Sequence, residues 1–133
     1  MILTAQVVPL MAGLLLCLIF WILLRISSSP AYRERLEAEH RAERLMAEIL
    51  TSDEYRQVKR KGYLDIQSPT HPGRFYRVPR SREQVRVYER GRLVEHLCIQ
   101  SIEPVPYGDI VVMHKLMIQG DEQEYLRLAN HFH

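Results

Sequence analysis

The feature that most limits what this chain can fold into is the run VVPLMAGLLLCLIFWILL, Val7 to Leu24, eighteen consecutive residues without a charge. At about 1.5 Å rise per residue a helix of that length covers roughly 27 Å, close to the hydrocarbon thickness of a bilayer. Thr4 and Gln6 suit the headgroup region at one end. Trp21 and Arg25 suit it at the other, where an amphipathic ring and a snorkelling cation are expected. A run this long with no polar face is unlike the core helix of a water-soluble domain. The expectation is a single transmembrane anchor over residues 1–26.

A cleaved signal peptide is the main rival. It needs a basic leading segment, a shorter apolar core and small residues at the cleavage site. No Lys or Arg precedes Arg25, and the run ends in bulky Phe20, Trp21, Leu23 and Leu24, although Ser27 to Ala31 would offer small residues to a peptidase. A lipoprotein signal is excluded, because Leu16 rather than a small residue precedes Cys17. Basic residues follow the run (Arg25, Arg33, Arg35, Arg41, Arg44) and none comes before it, so the positive-inside rule places the N-terminus outside and the remainder in the cytoplasm. Pro9, Gly13 and Cys17 recur every four residues and give the anchor one small-residue face, a surface on which transmembrane helices approach closely. The two cysteines, Cys17 and Cys98, stand too far apart to form a disulfide framework.

After the anchor, Ser29 and Pro30 make a helix start, as N-cap and first helical residue. A juxtamembrane helix is expected over residues 27–50. Its stripe Ala31, Arg35, Ala38, Ala42, Leu45, Ile49 has the spacing of a coiled-coil seam, interrupted by Arg35. The stripe fits either a solvated spacer or a helix packed on a partner.

Residues 51–133 are then read as one small α+β domain. Thr51 and Glu54 have capping-box spacing, and Gly62 suits the stop of the helix between them. Tyr63–Gln67 alternates like a strand, Arg74–Val78 reads as a second strand, and QVRVYERGRLVEHLCIQ reads as a hairpin turning at Arg90-Gly91. The expected register faces Val87 with Val94, Tyr88 with Leu93 and Arg86 with Glu95. Asp109 is placed as cap of a buried helix over 110–119, for which Ile-Val-Val makes a strand the competing reading. Asp121 is placed as cap of a last helix over 122–130.

Charge is unevenly spread. Arg56 to Arg92 holds eleven basic and three acidic residues, a net +8, between flanks of −2 and −4. Within it, SPTHPGRFYRVPRSR interleaves arginines with aromatics, and Arg74, Tyr76, Arg77, Arg80 and Arg82 are the candidate partner- or anion-binding residues. This chemistry suits a protein interface, anionic lipid headgroups or single-stranded nucleic acid, and also a solvated sheet face.

Catalytic and metal signatures are weak. Six histidines occur, but His96-x-Cys98 and His131-x-His133 lack the four-ligand spacings of a zinc site. There is no GxSxG and no glycine-rich phosphate loop. Cys98 with His96 or His114 is the one dyad that can be drawn. No catalytic residue, metal site or cofactor is expected. The functional expectation is a non-catalytic accessory or scaffold subunit of a membrane protein assembly, with an integral membrane protein as partner beside the bilayer. The alternative is a membrane-tethered nucleic-acid-binding module using residues 68–82.

Overall fold

The computed structural model describes residues 2–99 and 101–133, with side chains from Met11 onward. The protein is α+β. Among the described residues it has five helices and one five-stranded antiparallel sheet. The helices are α1 (Ile2–Ser27), α2 (Pro30–Ile49), α3 (Ser52–Lys61), α4 (Tyr107–Gly120) and α5 (Glu122–Leu128). The strands are β1 (Tyr63–Gln67), β2 (Arg74–Pro79), β3 (Val85–Glu89), β4 (Arg92–Cys98) and β5 (Asn130–Phe132), lying side by side in chain order. The chain divides into two compact units, Met1–Ala38 and Glu39–His133.

In the first unit, α1 ends where Ser27 and Ser28 each donate a side-chain hydrogen bond back to the carbonyl four residues earlier, at 2.8 Å. Such back-bonding competes with the helical ladder and favours a bend. Ser29 Oγ accepts from Tyr32 N at 3.3 Å and Pro30 opens α2, the start expected from the sequence. Met11–Ser27 and Pro30–Ile49 meet at 56°. Among the described residues no single helix is long and apolar enough to cross a membrane, and this bent pair passes by length and composition only. Pro9 lies outside the residues whose side chains are described. Gly13 has open space around it and Cys17 is exposed.

In the second unit, the helices pack on one face of the sheet. That face presents Leu64 and Ile66 from β1, Tyr76 and Val78 from β2, Val85 and Val87 from β3, and Leu97 from β4, the period-two alternation of a half-covered sheet. Met46, Leu50, Val58, Val111, Ile118 and Tyr125 close over it. The end of α2 therefore belongs to the core. Its buried positions are Ala42 and Met46, followed by Leu50 just beyond its end, whereas Leu45 and Ile49 of the expected seam are exposed. Ala42 is held by Gly108 at the start of α4: a Cβ on that glycine would stand 3.1 Å from the Ala42 carbonyl carbon and oxygen.

The α3 start is a full capping box. Glu54 Oε2 accepts from Thr51 N at 2.8 Å, and Thr51 Oγ1 accepts from Glu54 N at 3.3 Å. Buried Lys115 of α4 donates to both oxygens of the same Glu54, at 2.5 and 2.7 Å, fastening α4 to α3. Gly62 ends α3 in the left-handed region, at φ 76°.

Three expectations are corrected. The β3–β4 turn is at Arg90-Gly91, both at positive φ (49° and 79°), and Tyr88 does face Leu93. Beyond that pair a β-bulge intervenes: Val87 faces Glu95 and Arg86 faces His96, leaving Val94 as the extra residue. Residues 110–119 are helical as expected, but α4 starts at Tyr107 after Pro106, so Asp109 sits in its first turn and does not cap it. The last helix, capped by Asp121, stops at Leu128, and Asn130–Phe132 turns back to pair with His96–Cys98.

Candidate functional site

The arginine-rich strand was the sequence's candidate surface, and its side chains sit in several environments. Tyr76 is fully buried, its hydroxyl donating to Glu122 Oε1 at 2.5 Å. Arg74 pairs with its cross-strand neighbour Glu89, Nε to Oε1 at 2.9 Å. Arg77 makes a two-pronged pair with its cross-strand neighbour Asp65, at 2.8 and 3.0 Å. Its guanidinium lies 4.2 Å from the Tyr63 ring centre and 5.2 Å from that of Tyr88, while Phe75 and Tyr88 stack at 4.8 Å with planes 4° apart. Arg80 reaches Glu43 of α2 at 2.7 Å, a carboxylate that also receives Lys59 at 2.8 Å and the Tyr55 hydroxyl at 2.6 Å.

Three of the four arginines thus serve the fold. Each is matched to a carboxylate in a two-charge or shared cluster that holds neighbouring elements in place. Arg82 is exposed and has no carboxylate partner among the described residues.

Glu122, read from the sequence as merely the first residue of α5, is a polar hub. It is 3 % exposed and accepts from the Ser68 hydroxyl at 2.6 Å, from Thr70 N at 3.2 Å, from the Thr70 hydroxyl and from Tyr76. Burial alone would raise its pKa, but these donors outweigh burial and hold the carboxyl below its ordinary value. The loop after β1 is therefore pinned to α5.

The third cluster surrounds His114. This residue is 4 % exposed, and its Nδ1 lies 2.9 Å from the Tyr125 hydroxyl, with the rings edge to face. It lines a cavity of about 420 Å³ bounded by residues from 81–85, 97–99, 101–105 and 110–114, with apolar walls such as Val85, Leu97 and Met113. Cys98 lines the same cavity, but among the described residues no hydrogen bond joins it to His96 or His114. Among the described residues no group of three or more His, Cys, Asp or Glu is placed to hold a metal. His131 instead bonds the Leu126 carbonyl at 2.8 Å and pairs with Glu95, which ties β5 to α5 and β4.

Burial holds the His114 pKa down to about 4, from an ordinary 6.5. The unfolded chain takes up this proton near pH 6.5 and the folded chain does not, so the stability present above pH 6.5 is lost as pH falls toward 4. Across that window the loss is roughly 3 kcal/mol. His131 has a raised pKa, first from its bond to Leu126 and then from Glu95, and acts with the opposite sign, losing its contribution as pH rises. Comparing thermal midpoints of wild type and His114→Gln between pH 7 and 5 isolates the His114 share. The expected result is a clearly shallower fall in the variant, and parallel curves would refute it.

With this geometry in view, comparison with known proteins gives no family: no family model, no curated protein and no solved structure matches the chain.

Proposed function

We propose that this protein is a membrane-anchored binding module, an accessory or scaffold subunit of a larger membrane assembly. In this reading α1 lies in the bilayer with its N-terminus outside, and the unit Glu39–His133 is cytoplasmic. The observation that carries the proposal is the state of α1. Its large apolar side chains from Met11 to Ile26 are exposed all round, Phe20 by 64 % and Trp21 by 56 %, with Arg25 lying 5.0 Å from the Trp21 ring at the charged end. A surface this apolar is covered by lipid or by another protein in any stable state. The polar clusters of the second unit support binding over chemistry, because Glu43, Glu54, Asp65, Glu89 and Glu122 are each engaged in holding elements together. The nucleic-acid alternative has less support, since Arg74, Arg77 and Arg80 of its proposed surface are already neutralised.

The test has two readouts on full-length protein. In sealed right-side-out vesicles a membrane-impermeant maleimide should modify a Thr4→Cys protein at that position, while an Arg82→Cys protein reacts only after detergent. After mild-detergent extraction the chain should co-purify with an integral membrane protein in fixed stoichiometry. Release from membranes by alkaline carbonate would sink the anchor, and a monodisperse monomer that brings down nothing would sink the subunit reading.

A further inference from the structure

The cavity beside His114 has properties that the binding role just proposed does not use. Its volume of about 420 Å³ lies within the range of about 300–1,000 Å³ usual for small-molecule sites. Val85, Leu97, Ile110 and Met113 give it apolar walls. One buried polar side chain, His114, reaches it.

The state of that imidazole follows from its neighbour. The Tyr125 hydroxyl carries one proton, and among the described residues its only hydrogen-bond partner is His114 Nδ1. The hydroxyl therefore donates to Nδ1, which leaves the ring proton on Nε2. Among the described residues Nε2 has no partner, and no fully enclosed side-chain nitrogen or oxygen is left unpaired. Nε2–H is thus open to the space that His114 lines, where it acts as a neutral donor beside the apolar side chains of the wall.

The rim disfavours an anion, and the Nε2–H donor inside disfavours a cation. Arg82 would attract an anion, but Glu83 and Glu103 stand on the same rim and repel it. We propose that this cavity is a binding site for an uncharged small molecule with an apolar body and one carbonyl-type oxygen, which accepts a hydrogen bond from His114 Nε2. Apolar burial supplies most of the affinity, and the single bond fixes the ligand's orientation.

The test uses full-length protein in detergent, carrying isotope-labelled Ile and Met methyl groups and labelled His. The probe is acetophenone. Ethylbenzene serves as its counterpart of similar shape without the oxygen, and free concentrations are corrected for uptake by detergent. Acetophenone should give saturable shifts of the Ile110 and Met113 methyl signals and of the His114 Nε2–H. Ethylbenzene should bind the same place about 3–10-fold more weakly, the size of one hydrogen bond. Val105→Trp, which narrows the cavity wall with a bulky ring, should abolish both responses while signals elsewhere in the sheet stay in place. Absence of saturable shifts at Ile110 and Met113 with acetophenone overturns the site. Equal affinity for the two probes overturns the role of His114, and unchanged binding in Val105→Trp overturns the location.

Discussion

Glu122→Ala should destabilise the folded unit by about 4 kcal/mol. Truncation leaves the fully buried Tyr76 hydroxyl without its acceptor and strips Ser68 and Thr70 of theirs. A hydrogen bond to a charged group contributes about 1.5–3 kcal/mol, and a buried donor left unpaired costs about 1–3 kcal/mol. Ser68 and Thr70 lie nearer solvent and recover part of their loss from water, so Tyr76 dominates the sum. The pH dependence adds a second signature. The Glu122 pKa is depressed in the folded state, so its contribution is present above the ordinary carboxylate pKa of 4.5 and disappears as pH falls through the folded value. Glu122→Gln keeps the shape, retains one acceptor and removes the titration. Chemical denaturation should therefore show a smaller loss at pH 7 than for Glu122→Ala, and a flatter curve below pH 4.5. A loss under about 1 kcal/mol for Glu122→Ala would mean that the hub contributes little to stability.

Met46→Ala should also be severe, at about 4 kcal/mol, because the side chain is 0 % exposed and large-to-alanine changes in closed cores cost about 2–5 kcal/mol. The control is one residue away. Leu45, on the stripe that the sequence pattern favours, is 41 % exposed, and Leu45→Ala should cost less than about 1 kcal/mol. The pair distinguishes two roles for the end of α2. If Leu45→Ala proved the more damaging, the helix would be facing a partner rather than its own sheet.

Met46 also shows where sequence reading stops. Stepping by three and four from Ala31 leads to Leu45 and Ile49, while the structure continues from Ala42 to Met46 and Leu50. Both stripes are acceptable to a helix. Ala42 lies on both, and what distinguishes them is the core of the second unit, where Met46 and Leu50 join Leu64, Val78 and Val111 from later in the chain. The capping box of Thr51 and Glu54, the stop at Gly62 and the turn at Arg90-Gly91 were legible because each is decided within about four residues. The bulge at Val94 and the strand Asn130–Phe132 were not. Nothing in Asn-His-Phe marks a strand, and its extension comes from pairing with β4 and from His131 holding Glu95. The candidate surface was legible in part. Arginine beside aromatics was read as a surface for an outside partner, whereas Arg77 turns its guanidinium to Tyr63 and Tyr88 of its own sheet. The matching carboxylates come from other elements, Glu43 above all, and no local pattern announces them. The His114 cavity draws on three separate segments and has no motif at all.

The serial strand order has a consequence for assembly. Translated from the N-terminus, each of β1 to β4 emerges beside the strand just made, so this part of the sheet can grow outward one hairpin at a time with only short loops to close, and β5 joins it after α4 and α5. Glu122 belongs to a later stage, since it bonds Ser68 across 54 positions of chain. A growing chain can therefore hold a four-stranded meander while its Tyr76 hydroxyl still lacks a permanent acceptor, until α5 arrives to supply it.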